Sequence, residues 1–557
     1  MRTERRAAGR RSVAAGASLL LLALAAGAPS AANAGSKAAP AAKQYSFERL
    51  AKAQPDECFA GVGQPHPAGP PCATGKAKVN QAYVWGLTRT GSQVWFGTGA
   101  NTFCLTSGAD LAFTTPLVND DFVCEYGESQ VVKNNPAVPG AVGDVRPPQV
   151  WIYDASAKTL QNKTSEISAA SAADARRLRT TLGIRSAGNL NGVVLFAGPS
   201  LTGTLNLFAF DAAGKRFLGS RTISRYGNAR TFLAAAGNLY LGVGTGPGGR
   251  TGGAILRWTG NRLTPFTFAP VGTLPAQVAD LAYHDGKLVA TTWVSNTPTT
   301  DGQLAGLWIS PPLPLTSTST WTQVFNAGQY ETDPLIKTTY GLGGVASYGG
   351  YVYWGTMHVP LKSTKVHQDT YPQSTDEAKK QQIQASQRGT SIWRGKDLGT
   401  PNQKIELLYG ESNLARFDPS TKTWSPAPTG WNPLYGHTGF NNRFNNYTWR
   451  MAVAGDRLYV ATMDWSYLLH DLTTPPPPTD PAGWGGDLWV FPATTQPAEP
   501  ISTTGVGNYL NYGIRNMNVD GNDLYLGTAN PMNLRTDPTD EFPEGGWELI
   551  KLTRNPG

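Results

Sequence analysis

Charge is the first thing this chain is short of. Asp, Glu, Lys and Arg make up 15% of its 557 residues, well under the roughly one quarter of an average soluble protein. That scarcity argues against a coiled coil or a disordered chain, which depend on charge for a polar face or for solvation. The six histidines, His66, His284, His358, His367, His437 and His470, show no metal-ligand spacing, so neither a metal nor another cofactor is expected. There is no Gly-x-Ser-x-Gly elbow to suggest a serine hydrolase. The sialidase-type box fails too, because Asp418 lies six residues before Trp424 without its glycine. Beyond residue 34 the chain has no block of Lys and Arg and no apolar run long enough to span a bilayer, so nucleic acid and membrane are not expected partners.

Turn formers and aromatics are plentiful instead, with Gly 63, Pro 41 and Trp 16. This profile suits a large all-β protein whose sheets bury Tyr and Trp. Residues 1–34 read as an export signal: Arg2, Arg5, Arg6, Arg10 and Arg11 precede an apolar run, and Ala32-Asn33-Ala34 forms a small-x-small site before Gly35. The pair Arg10-Arg11 keeps twin-arginine export as the alternative to the general secretory route. Removing this segment, with its five Arg and one Glu, lowers the formal net charge from +8 to +4. A secreted or periplasmic monomer is therefore expected, and there Cys58, Cys72, Cys104 and Cys124 read as disulfides. Three pairings are open. The local ones, Cys58 with Cys72 and Cys104 with Cys124, are favoured because each closes a Gly/Pro-rich or irregular loop.

A repeat runs through the rest. Leu524-Tyr525-Leu526-Gly527-Thr528 is echoed by Leu458-Tyr459-Val460-Ala461-Thr462, Val352-Tyr353-Trp354-Gly355-Thr356 and Leu239-Tyr240-Leu241-Gly242, with weaker copies at Leu288, Val94 and Val194. In each copy an apolar residue lies seven positions before the anchor, which predicts a β-hairpin. A second hairpin of the type Leu488-Trp489-Val490-Phe491 follows each one. Two hairpins per copy make a four-stranded sheet, and radial packing of seven such sheets predicts a seven-bladed β-propeller with four-stranded blades. The last copy lacks a fourth strand, so residues 45–50 are expected to close the ring. A spare hairpin from Leu414 to Trp424 leaves eight blades as the alternative. The expected organisation is thus a signal peptide at 1–34, a segment with the closing strand and cysteine loop at 35–78, and the propeller at 79–557. A helical insertion is expected at about 358–391, with Ser374-Thr375-Asp376-Glu377 opening a helix to Gln387. Prolines 475–478 read as a stiff spacer.

On these repeated strands, over about residues 80–553, the chain resembles secreted bacterial seven-bladed β-propellers of an uncharacterised family. Its stretch 511–552 is similar to their C-terminal ending. The resemblance implies the fold and carries over no catalytic residue, since such propellers include polysaccharide lyases, glycosidases and binding scaffolds.

Aligning the copies picks out two sets of candidate site residues. Two positions before the apolar residue of the first strand stand Trp85, Arg185, Arg230, Ala279, Gly343, Trp449 and Arg515. Just after the second strand stand Ala100, Ser200, Thr245, Val294, His358, Asp464 and Asn530. Guanidinium groups bind carboxylate or sulfate bidentately and indole faces stack on sugar rings. Arg185, Arg230, Arg515, Trp85, Trp449 and Asn530 are therefore the expected binding residues for an anionic polysaccharide or cell-envelope ligand. In a lyase-like version His358 and Asp464 would handle the proton, and Tyr447 and Tyr512 would return it. The competing readings are a non-catalytic envelope scaffold, in which these Arg merely solvate strand ends, and a glycosidase using Asp464 with Asp280.

Overall fold

The computed structural model describes residues 44–134, 138–142, 145–295, 297–468, 483–536 and 543–555. The expected export signal, His470 and prolines 475–478 lie outside the described residues. The protein is all-β and mostly strand. Among the described residues the strands form seven successive antiparallel groups of four. Their first strands are Gln81–Thr90, Ser186–Leu190, Tyr226–Ala235, Gln277–His284, Gly341–Tyr348, Asn445–Ala454 and Gly513–Asp520. In the last group, Gly513–Asp520, Asp523–Ala529 and Glu548–Arg554 are joined by Tyr45–Lys52, which pairs with Glu548–Arg554 from Tyr45↔Arg554 to Lys52↔Glu548. The spare hairpin, Asn413–Asp418 with Thr423–Pro428, is a two-stranded sheet of its own.

The second strands are apolar on both faces. Val94, Trp95 and Phe96 are wholly buried, as are Leu524 and Leu526, so each sheet must be covered on two sides. Neighbouring groups provide the cover. Trp95, Val150 and Ile152 pack with Val194, Phe196 and Phe208 of the next group, and Phe325 packs with Trp354 and Trp393. Outer strands such as Arg216–Ile223 are half-buried to exposed.

The repeated Gly-Thr pair has a structural cause. A Cβ on Gly355 would lie 2.1 Å from Thr448 Oγ1, and one on Gly527 would lie 2.5 Å from Val84 Cγ1, so glycine stands where the neighbouring sheet comes closest. The threonine hydroxyl accepts a hydrogen bond from the amide that opens the third strand. It does so from Gln149 to Thr98, Ser391 to Thr356 and Glu548 to Thr528, each at 2.8 Å, and from Asp487 to Thr462 at 2.9 Å.

Both local disulfides are present, Cys58–Cys72 and Cys104–Cys124, consistent with an oxidising compartment outside the cytoplasm. Among the described residues no helix is long and apolar enough to cross a membrane. The expected insertion holds two helices, Lys362–Thr370 and Asp376–Ser386. The Thr375 hydroxyl caps the second by accepting from the Ala378 amide at 3.2 Å, and the helix ends one residue short of Gln387.

Deleting residues 45–52 would leave the Glu548–Arg554 edge unpaired and remove buried Tyr45, whose hydroxyl lies 3.1 Å from that of Tyr459. Calorimetry is expected to show a melting temperature lower by at least about 5 °C. An unchanged value would show that this strand stabilises nothing.

Candidate functional site

The first strands share a device that creates the site. Their pairing slips between Val84 and Gly86, Ala229 and Thr231, Val278 and Asp280, Thr448 and Arg450, and Ile514 and Asn516. The residues left over are Trp85, Arg230, Ala279, Trp449 and Arg515. A wider slip between Leu342 and Val345 takes in Gly343. Arg185 stands just before Ser186–Leu190, with its amide donating to the Ala197 carbonyl at 2.9 Å. A β-bulge removes a residue from the ladder and re-aims its side chain. Accordingly Trp85, Arg185, Arg230, Trp449 and Arg515 all line one cavity of about 330 Å³.

Aromatic rings form a continuous wall. Tyr83 packs on Trp85 (5.9 Å between centroids), Trp449 (5.8 Å) and Tyr512 (6.0 Å), while Tyr447 bridges Trp449 (5.5 Å) and Trp293 (5.9 Å). Each arginine lies over an indole of this wall: Arg230 over Trp293 at 4.5 Å, Arg185 over Trp85 at 5.2 Å and Arg515 over Trp449 at 5.9 Å. These contacts fit cation–π geometry, and they leave the guanidinium charge uncancelled.

None of the three arginines forms an ion pair among the described residues. Arg230 and Arg515 are 6% and 5% exposed. The Nε atoms of Arg185 and Arg230, and the indole Nε1 of Trp465 in the same wall, are buried without an acceptor. Burial pushes Arg185 and Arg515 down to about 9 and Arg230 well below its usual value, with repulsion among the arginines adding to the effect. Burial also holds the Tyr447 and Tyr512 phenols above their ordinary range, so both are neutral donors at pH 7. Asp110, on the helix Thr102–Leu111, is the one carboxylate among the described lining residues, and it pairs with Lys362 at 3.3 Å. This contact joins two helices of the cavity wall, and Cys104–Cys124 tethers the first of them.

One residue further along three first strands, Asp280 accepts from Arg450 Nη1 (2.5 Å) and Thr231 Oγ1 (2.9 Å). Thr231 and Arg450 line a second cavity of about 670 Å³, so this ion-paired cluster marks the boundary between the two. Asp280 is committed to it.

The structure divides the expected catalytic set. Tyr447 and Tyr512 line the cavity; His358 and Asp464 do not. The His358 amide is tied to the Asn446 carbonyl, and its ring turns inward. Nε2 lies 2.9 Å from Thr356 Oγ1, the ring stands edge-on to Tyr340 at 4.2 Å, and burial pushes the pKa down to about 3. Asp464 accepts from the Ser466 amide (2.8 Å), the Ser466 hydroxyl and Asn442 (2.7 Å). Burial raises it to about 6, and its neighbour Asp487 rises to about 7 through burial and the Asp464 charge. Asn530 is also outside the cavity lining, donating to the Glu544 carbonyl at 2.8 Å and to Asn511 at 3.2 Å. Of the second aligned set, Ser200 reaches the cavity. Sequence reasoning missed Tyr83, Trp293, Trp465, Asp110 and Lys362. Tyr83 had a signal, since it precedes Trp85 as Tyr447 precedes Trp449.

No family model and no curated protein matches the chain. Solved structures similar to it include one titled as the crystal structure of polysaccharide lyase Uly1, with TM-score 0.40 and 7% identity over 84% of this chain and 89% of that one. Another is a Mycobacterium tuberculosis puromycin-hydrolyzing peptidase, with TM-score 0.37 and 10% identity over 81% of this chain and 49% of that one. At these values they indicate neither family nor activity.

Two outcomes follow from the charges. Replacing Arg230 by Met removes a buried cation that forms no ion pair among the described residues, so the variant is expected to melt a few degrees higher than the parent; a lower melting temperature would show that Arg230 is a structural residue. Asp487 holds a proton in the folded state that the unfolded chain releases, so its contribution to stability falls as pH rises from about 4 to about 7. Asp487→Asn should flatten that slope, raising the melting temperature at pH 8 by up to about 3 °C and not at pH 4. Parallel pH profiles for variant and parent would contradict it.

Proposed function

We propose that the chain is an exported seven-bladed β-propeller that binds an anionic carbohydrate in its Arg/Trp cavity. Contacts between the last strand group and the first support the ring: Ala529 bridges to Tyr83, and Tyr525, Trp547 and Leu549 pack with Val84, Phe96 and Tyr153. Tyr45–Lys52 then serves as the closing fourth strand of the seventh blade. The isolated hairpin at 413–428 is an insertion rather than an eighth blade.

The ligand reading rests on one observation: Arg185, Arg230 and Arg515 converge on one cavity, each against an indole face and none in an ion pair among the described residues. A carboxylate or sulfate supplies the missing charge through bidentate hydrogen bonds, and the apolar face of a sugar ring fits the aromatic wall. Binding is favoured over cleavage. A glycosidase needs two working carboxyl groups, whereas Asp110 is paired with Lys362, Asp280 with Arg450, and Asp464 is outside the lining. A lyase needs a base near the cavity, and His358 faces away from it.

Replacing Arg515 by Ala is expected to weaken binding of oligogalacturonate by about 1.5–3 kcal/mol, the range for a hydrogen bond to a charged group. Lys should recover part of this, since the planar fork is lost. Equal affinities of Arg515→Ala and the parent, by calorimetry at matched salt, would overturn the reading.

A further inference from the structure

We infer that the cavity is matched to a compact ligand, one or two sugar units in size and carrying at least two negative charges, and that a longer acidic chain enters it by an end. This deepens the anionic-carbohydrate reading and rests on it. The first argument is charge. Arg185, Arg230 and Arg515 line the same cavity and each lies over an indole of its wall, so they face one space rather than forming separate sites, and the nearest carboxylates, Asp110 and Asp280, attract them from beyond ion-pair distance. The one carboxylate in the described lining, Asp110, is engaged by Lys362. A single carboxylate on the ligand would cancel one guanidinium and leave two buried cations facing each other. A second negative group removes that repulsion as well as adding its own contacts, so affinity should rise more steeply with ligand charge than it does on an open surface.

The second argument is size and closure. About 330 Å³ is at the low end of small-molecule sites. The interior of a polymer needs a groove open at two ends. Here the helices Thr102–Leu111 and Lys362–Thr370 meet through Asp110 and Lys362 on one side, and the cluster of Thr231, Asp280 and Arg450 bounds the other. The buried N–H groups of Arg185, Arg230 and Trp465, which have no acceptor among the described residues, would be satisfied by oxygens of an end unit held within this space.

The test uses the full exported chain, titrated calorimetrically at constant ionic strength with glucose, glucuronate and 3-O-sulfoglucuronate, which carry zero, one and two negative groups on the same pyranose ring. The sulfated acid is expected to bind at least tenfold more tightly than glucuronate, with glucose giving no heat. Arg230→Met should reduce the ratio of the two affinities toward one. Polygalacturonate should saturate in proportion to its chain ends, so that partial depolymerisation of the same mass raises the number of sites. Equal affinities for the two acids, a ratio unchanged in Arg230→Met, or saturation in proportion to polymer mass would each overturn the inference while leaving anion binding intact. Absence of binding by both acids and by the polymer would overturn the anionic reading itself.

Discussion

A four-stranded sheet that is apolar on both faces cannot be stable alone, and the rest of this structure depends on that constraint. The second strands bury Trp95, Trp354 and Tyr459 almost completely, and one sheet hides such residues by lying against another. Packing on both sides fixes how near successive sheets come, which explains why glycine occupies positions 355 and 527 and why a threonine follows to hold the third strand. The same packing brings the first strands together. Bulges in these strands have an unusual opportunity there, because residues expelled from several ladders meet in one place.

Those bulges turn a repetitive scaffold into a site without repetition. The backbone slip recurs, while the residue it expels varies from Trp85 to Arg230 to Ala279 to Arg515. Trp, Arg and Ala all occupy this bulged position in different groups, so the ladder does not dictate one residue type there. Large residues at 85, 449 and 293 build the aromatic wall on which the guanidinium groups lie, whereas at 343 the neighbouring strand decides, since a Cβ there would stand 2.1 Å from the Thr448 carbonyl oxygen.

Much of this was legible in the sequence because strand pairing has a fixed period. The spacing within Leu-Tyr-x-Gly-Thr hairpins aligned the residues two positions before the inner apolar one, which the structure then shows to be bulged, and the two short cysteine loops and the Thr375 cap are local features that depend on near neighbours. Side-chain direction after the second strand was not legible. His358 and Asp464 occupy matching positions in neighbouring copies, yet the loops that follow them differ, and each turns into its own hydrogen-bond network rather than toward the cavity. Asp110 and Lys362 come from insertions outside the repeat, so no alignment of copies could have placed them together. Trp293 ends a second strand, one residue away from the aligned set.

The treatment of buried arginines elsewhere in the chain sharpens the meaning of the cavity. Arg388 meets Glu331 through two bonds of 2.6 and 3.0 Å and also donates to main-chain carbonyls, and Arg146 meets Glu57 through two bonds of 2.7 Å. The fold thus places carboxylates opposite deeply buried guanidinium groups where structure alone is at stake. At Arg185, Arg230 and Arg515 it places indoles instead, which cushion the cation without neutralising it. Burying a charge unpaired costs several kcal/mol, and a strand bulge that accommodates Ala279 would accept a neutral residue at each of these positions. An anionic ligand of the kind proposed would offset this cost, because the desolvation of the arginines is already met in the empty protein and need not be met again on binding.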